Sequence, residues 1–446
     1  MNIKSDSRKV LPGDTFVALK YVNDGHKYVL DAIEKGATKV VVEEGLYSVD
    51  TLLVKDTHEY LVNYLKENYF NELKDLKIIG MTGTNGKTTT CYLLHKSLNA
   101  LGKKCAYIGT IGFYVDEKIK DLNNTTPDIL DLYEMLIESK NLGCEYVVME
   151  VSSHALSLNR VKGLEFDMAI FSNLTQDHLD YHLNMDNYLK EKQKLFKMLK
   201  NKKTAIINGD DPHYKDFIME DNNNITYGFK DSNYQITSYK IDHLGSNFII
   251  NDKDIYETKL LGKHNIYNLA SVIAALIELG YNYDDIKDVI SNLNCPRGRM
   301  DSVTYGNNTI IIDYAHTPDA VSNVLKSIRE LNPNHIYTII GCGGDRDRKK
   351  RPIMADFATG LSDYVIFTSD NPRTEDPAKI IEDMIQKLDK NNYEIEINRE
   401  KAIIRGIQLL QENDILMILG KGHETYQVIG TRKIDFDDKK IVTDNI

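Results

Sequence analysis

Residues 77–101 constrain this chain more than any other stretch. Lys77–Thr82 reads KIIGMT, a short apolar run of strand character. Gly83-Thr84-Asn85-Gly86 follow, and Lys87 to Leu101 reads as a helix closed by Gly102. A buried strand that turns through two glycines into a helix belongs in an α/β layer with mainly parallel strands. Glycines at 83 and 86 let the backbone wrap tightly and aim N–H groups inward, and the helix adds its positive N-terminal end. That combination holds nucleotide phosphates. In such a loop Lys87 reaches the β- and γ-phosphates, and the Thr88 hydroxyl can bind Mg²⁺. Thr82, Gly83, Thr84, Asn85, Gly86 and Thr89 complete the expected ATP loop. The strict pattern wants glycine at 81, where this chain has Met81. A turn with incidental glycines is the plain alternative, and the strand–loop–helix context weighs against it. A GTPase or a kinase is the natural rival, yet no Asn-Lys-x-Asp reader and no HRD or DFG segment appears.

The same alternation continues along the chain. Its 446 residues exceed one ordinary core, so two or three domains are expected. Strands are predicted at residues 15–19, 38–44, 104–109, 145–151, 167–173, 309–314, 336–341, 364–368 and 415–420. Helices are predicted from His26 to Gly36 and from Pro377 to Leu388, and another opens at Thr126-Pro127 with Thr126 as its cap. Residues 202–262 read as a β-rich excursion within the central domain. The chemically unusual segments share an address. Thr82–Thr88, Glu150–His154, Asp313–His316, Gly341–Arg346, Asp370–Arg373 and Gly420–Glu424 each follow the C-terminal end of a predicted strand. Ligands bind at that edge of open parallel sheets, so two sheets are expected to serve one active site.

Composition narrows the class. A net charge of −11 argues against a nucleic-acid or anionic-membrane surface. One basic run, Arg346–Arg351 (RDRKKR), is either a solvated loop or an anion site behind Gly341–Gly344. No apolar run approaches the roughly 20 residues of a membrane span. The N-terminal MNIKSDSRKV lacks the apolar core of a signal peptide, and the five cysteines include no CxxC pair. A cytoplasmic location is expected, with reduced thiols and no structural zinc.

Ten further segments carry a resemblance: Asp6-Ser7-Arg8, Pro12-Gly13-Asp14, Asp24-Gly25-His26, Thr125-Thr126-Pro127, Met149–His154 (MEVSSH), Asp177–His182 (DHLDYH), Asp313–Asp319 (DYAHTPD), Gly341–Asp347 (GCGGDRD), Asp370–Arg373 (DNPR) and Gly420–Glu424 (GKGHE). With the TGTNGKTT loop they resemble the Mur ligase family over nearly the whole chain, and within it the branch that forms the UDP-N-acetylmuramoyl-tripeptide. The resemblance implies three α/β domains. Residues 1–75 would bind UDP-MurNAc, 76–297 would form the P-loop ATPase-like parallel-sheet domain, and 298–446 would form a Rossmann-like domain for the incoming amino acid. It implies a monomer using ATP and two Mg²⁺ ions. ATP would phosphorylate the free carboxylate of UDP-MurNAc-L-Ala-D-Glu, and the amine of a diamino acid would displace phosphate. Bringing two anions together makes metal and Arg/Lys neutralisation the expected core of catalysis.

Residue roles follow from the same resemblance. Glu150 would share Mg²⁺ with Thr88, and His178 would bind a second ion, although imidazole is not a preferred ligand for this hard cation. Lys192, read alone one of several helical lysines beside Lys190 and Lys194, would be the carbamylated residue (N6-carboxylysine). Ser7, His26, Thr125, Thr126, Ser152 and Arg160 would bind the UDP-MurNAc-dipeptide. His264, Asn265 and Asn268 resemble the adenine side. Arg299, Asp313 and His316 would complete the ATP site after domain closure, which excludes water from an acyl-phosphate. Arg346, Asp370, Asn371, Arg373, Gly420 and Glu424 would form the amino-acid pocket, Glu424 facing the distal ammonium. The DNPR form accompanies meso-diaminopimelate in the family, because Arg373 can pair with the distal carboxylate that lysine lacks. A lysine-adding ligase, a folylpolyglutamate-synthetase-like ligase and a non-ligating P-loop ATPase remain as alternatives.

Overall fold

The computed structural model describes residues 1–20, 23–242 and 245–446. Tyr21, Val22, His243 and Leu244 lie outside the described residues, as does the side chain of Asp180 in the Asp177–His182 segment. The chain is α/β throughout and forms two compact units: residues 1–234 with 274–280, and residues 235–273 with 281–446.

The first unit contains two sheets. In the smaller one, β1 (Ile3–Lys4), β2 (Thr15–Val17), β3 (Lys39–Val42) and β4 (Asp50–Leu53) lie parallel in chain order. Side chains alternate across it: Val40 and Val42 pack with Phe16 and Val29 on one face, while Val41 joins Ile3 and Val17 in the unit's main core. The helix predicted from His26 begins as a 3₁₀ turn at Gly25–Tyr28, which the Asp24 side chain caps. It continues as an α-helix over Val29–Glu34.

The larger sheet uses β5 (Lys77–Thr82), β6 (Cys105–Gly109), β7 (Gly112–Tyr114), β8 (Lys118–Lys120), β9 (Tyr146–Glu150), β10 (Phe166–Phe171), β11 (Leu199–Asn208) and β12 (Asn223–Gly228). Their order is β12-β11-β10-β5-β9-β6-β7-β8, parallel except at the edge, where β7 runs antiparallel to both β6 and β8. The chain crosses from β9 on one side of β5 to β10 on the other. The phosphate loop leaves β5 at that switch point. One expectation is corrected here. The helix after Pro127 starts at Ile129, with Asp128 in the cap position. Thr126 is instead turned inward, its hydroxyl donating to the Glu150 carbonyl at 2.9 Å.

The second unit opens with an antiparallel meander of β13 (Tyr234–Asp242), β14 (Gly245–Ile250) and β15 (Asp254–Thr258). Residues 202–262 therefore divide: β11 and β12 are parallel members of the larger sheet, whereas residues from 235 onward cluster with the second unit. The main sheet comprises β16 (Asp301–Tyr305), β17 (Asn308–Asp313), β18 (Ile336–Ile340), β19 (Tyr364–Phe367), β20 (Tyr393–Ile395) and β21 (Ile415–Leu419), in the order β16-β17-β21-β18-β19-β20. Only β16 is antiparallel. Ile311, Met417 and Ile340 face one apolar layer, and Ile310, Ile339, Leu416 and Ile418 face the other. Burial on both faces explains why these strands read as unbroken apolar runs. The hairpin β22 (Tyr426–Ile429) and β23 (Arg432–Asp435) follows.

Candidate active site

In the first unit, Gly83 and Gly86 adopt φ values of 150° and 87°, a region that favours glycine. A Cβ on Gly83 would lie 1.9 Å from Ser172 Oγ, so the loop packs directly on the end of β10. Thr84 N donates to Asn173 O at 2.8 Å, Asn85 N donates to Asn173 Oδ1 at 2.9 Å, and Ser172 Oγ donates to Asn85 O at 2.6 Å. Lys87 Nζ arches back over the loop to the carbonyls of Gly83 and Thr84, 2.8 Å from each.

Glu150 ends β9 fully buried and collects four hydrogen bonds. Oε1 accepts from Tyr107 Oη (2.6 Å) and Thr110 N (2.8 Å), and Oε2 accepts from Thr88 Oγ1 (3.0 Å) and Thr110 Oγ1 (3.1 Å). Burial, reinforced by the Glu150 charge, pushes the Tyr107 phenol far above its ordinary range, so it acts as a donor. Thr125 Oγ1 lies 3.1 Å from Thr110 Oγ1, and Thr126 Oγ1 accepts from Ser152 N at 3.0 Å.

Lys192 is fully buried, and its Nζ donates to Gly83 O at 2.8 Å above the Tyr188 ring. Burial first, and the Lys87 charge second, hold it well below the ordinary lysine range. Lys190 is exposed and Lys194 pairs with Glu191, so of the three only Lys192 faces the loop. His178 stands nearby in the left-handed region (φ 52°), its ring 4.7 Å from that of His154.

In the second unit the order β17-β21-β18-β19 places four motifs side by side on one sheet edge. Gly298 and Gly422 approach so closely that a Cβ on the first would lie 2.1 Å from the backbone of the second. Arg299 stacks on Tyr314 at 4.8 Å, and both Asp313 oxygens accept backbone N–H groups, from Met300 and Ala315 at 2.8 Å each. His316 Nδ1 lies 2.8 Å from Tyr314 O. Asn371 Nδ2 donates to Glu424 Oε2 at 2.8 Å, and Asp370 presses against Gly420, where a Cβ would lie 2.5 Å from Oδ2. Arg373 (φ 50°) is pinned through its backbone to β22, and its Nη1 donates to Gly344 O at 2.7 Å.

Residues 81–276 match the Mur ligase middle domain, and residues 298–422 match the Mur ligase, glutamate ligase domain. A protein of Fusobacterium nucleatum named UDP-N-acetylmuramoyl-L-alanyl-D-glutamate--2,6-diaminopimelate ligase is 42% identical, over 98% of this chain and 92% of its own. The Bacillus cereus protein of that name is 41% identical, over 100% and 94%. This chain belongs to the Mur ligase family. A solved structure titled with the same ligase name superposes with a TM-score of 0.74 at 33% identity, covering 100% of this chain and 94% of that one. MurF of Thermotoga maritima in complex with ADP, 17% identical over 94% of this chain and 93% of its own, shares the fold at a TM-score of 0.67.

Against that Mur ligase background, the expected residues divide. Thr88, Glu150, Thr125, Thr126 and Ser152 form one connected network, while Lys87 and Lys192 converge on Gly83 O. Ser152 also caps the helix Ser153–Ser157. Arg160 donates to Thr126 O and pairs with Asp128. Ser7 is buried at the start of a 3₁₀ turn. Both ring nitrogens of His26 are engaged, Nδ1 with Asp24 (2.7 Å) and Nε2 with Glu43 N (2.9 Å). Asn265 and Asn268 are buried and bonded to each other at 3.0 Å, and His264 Nδ1 lies 3.3 Å from Ser327 Oγ. The basic run is not one solvated loop. Arg346 is exposed, whereas Arg351 is fully buried, paired with Glu375 at 2.8 Å and Asp383 at 2.7 Å. The sequence reading missed Tyr107 and Thr110, which hold Glu150. It also missed Lys421, whose buried ammonium lies 3.1 Å from Glu424 Oε2. Its place inside GKGHE was the available signal.

Proposed function

We propose that this chain is an ADP-forming acid–amino-acid ligase that joins meso-diaminopimelate to UDP-N-acetylmuramoyl-L-alanyl-D-glutamate. Near-full-length similarity of about 40% to relatives that bear this name carries the reading. Residues 1–75 take the UDP-sugar, 76–297 the ATP, and 298–446 the amino acid. The γ-phosphate passes to the substrate carboxylate, because phosphate leaves readily where an oxide does not; the amine then attacks the acyl-phosphate.

The donor set around Thr88 suits Mg²⁺. A hydroxyl and a carboxylate 3.0 Å apart are hard oxygen ligands beside a phosphate loop. Thr88 and Glu150 would hold one ion, with His178 and a carbamylated Lys192 toward a second; the metal supplies charge neutralisation on the phosphates. Lys192 supports the carbamate reading because its buried ammonium rests on a carbonyl and an aromatic face. Lys87 steadies the β- and γ-phosphates, and the loop N–H groups orient them. Asn371, Arg373 and Glu424 set the amino-acid pocket, Arg373 toward the distal carboxylate. A cytoplasmic monomer fits this role. Among the described residues no helix is long and apolar enough to cross a membrane.

ADP release tests the reading. It should require the UDP-dipeptide together with meso-diaminopimelate, and L-lysine should be slower by orders of magnitude. Equal rates with both amino acids would refute the diaminopimelate assignment, and dipeptide-independent hydrolysis would refute the ligase.

A further inference from the structure

The hydrogen bonds on Glu150 are unequal in kind. Oε1 is held by Tyr107 Oη at 2.6 Å and by the Thr110 amide at 2.8 Å. Two donors fill the two lone pairs of that oxygen. The Tyr107 ring has little freedom, with Tyr92, His95 and Tyr114 lying 6.3, 6.2 and 5.8 Å away. Gly109 completes the fit, since a Cβ there would lie 2.3 Å from both Glu150 Oε1 and Tyr107 Oη. Oε2 is held differently, by two rotatable hydroxyls. Thr110 Oγ1 has a second partner in Thr125 Oγ1 at 3.1 Å, and the Thr88 hydroxyl can turn its proton away.

We propose that Tyr107 is a positioning residue, which with Gly109 and the Thr110 amide anchors Oε1 and reserves Oε2 alone for the divalent cation. This rests on the reading of Thr88 and Glu150 as cation ligands. Glu150 then binds through a single oxygen, and its aim is set by a phenol on the neighbouring strand β6. Loss of the phenol lets the carboxylate rotate and weakens cation binding without removing a ligand.

The test measures Mn²⁺ affinity by electron paramagnetic resonance in the presence of ADP. Beside it run the Mg²⁺ dependence of ADP release and thermal unfolding, for wild type and for Tyr107→Phe, Gly109→Ala and Glu150→Gln. Tyr107→Phe should weaken Mn²⁺ binding and raise the Mg²⁺ requirement about tenfold, as expected for a supporting partner of a ligand. Saturating Mg²⁺ should restore kcat to within about threefold. Gly109→Ala should act in the same direction and more strongly. Unchanged Mn²⁺ affinity in a folded Tyr107→Phe protein, with Glu150→Gln clearly weakened, overturns the positioning role alone. A fall in kcat and unfolding temperature at unaltered Mg²⁺ dependence also overturns it. Unchanged affinity in Glu150→Gln removes the ligand reading on which it stands.

Discussion

Lys87 and Arg373 are charged side chains that donate to loop carbonyls in the structure, Lys87 to Gly83 and Thr84, Arg373 to Gly344. Each is therefore held near the region where an anion would arrive. On the proposed reading, Lys87→Ala would remove the cation that steadies transferring phosphate, so ADP release should fall by about 100- to 1000-fold. Unchanged turnover would refute the loop assignment. Arg373→Ala should lower kcat/KM for meso-diaminopimelate by about 100-fold while leaving the slow reaction with lysine nearly unaltered, erasing most of the preference. Parallel losses with both amino acids would place Arg373 outside the specificity pocket. Both residues stand out in the sequence through their motifs, TGTNGKTT and DNPR. Lys192 was singled out by the resemblance alone, because Lys190, Lys192 and Lys194 look alike in a helical sequence; in the structure its packing on Gly83 sets it apart.

Between elements, the loop after β18 and the loop after β19 are fastened to each other. Glu375 accepts from Asp345 N at 2.6 Å and from buried Arg351 at 2.8 Å, and Asp345 in turn accepts from Thr374 Oγ1 at 2.8 Å. Arg351 comes from the helix Lys350–Leu361, so one buried charge ties that helix to both loops. Its hydrogen bond to Glu375 is the main cause that lowers the Glu375 carboxyl to about 2. A carboxyl with a depressed folded value binds more protons when unfolded. Its contribution is thus complete above the ordinary value near 4.5 and is lost as pH falls from there toward 2. Glu375→Gln should cost roughly 1–3 kcal/mol at pH 7. The difference from wild type should shrink below pH 4, as read by denaturant unfolding at each pH; a gap constant down to pH 2.5 would exclude the ion pair as its source. This fastening was not legible in the sequence, where Arg351 sits in a run of exposed-looking charges and its partners lie 24 and 32 residues away. The strands were legible for the opposite reason: parallel strands covered on both faces must be apolar along their whole length.

For the molecule as a whole, 446 residues and several separate apolar cores predict that unfolding is not one cooperative step. A chain of this size absorbs about 300 kcal/mol on thermal unfolding, at about 0.7 kcal/mol per residue. If residues 1–234 with 274–280 melt apart from residues 235–273 with 281–446, the van't Hoff enthalpy should be about half the calorimetric value. Point substitutions then assign the transitions. Glu375→Gln belongs to the second unit, so it should lower one transition, by about 2–4 °C for each kcal/mol lost, and leave the other in place. Leu98→Ala, in the buried face of the helix Lys87–Ala100, should do the reverse. A single transition with equal calorimetric and van't Hoff enthalpies, shifted alike by both substitutions, would mean that the two units unfold as one.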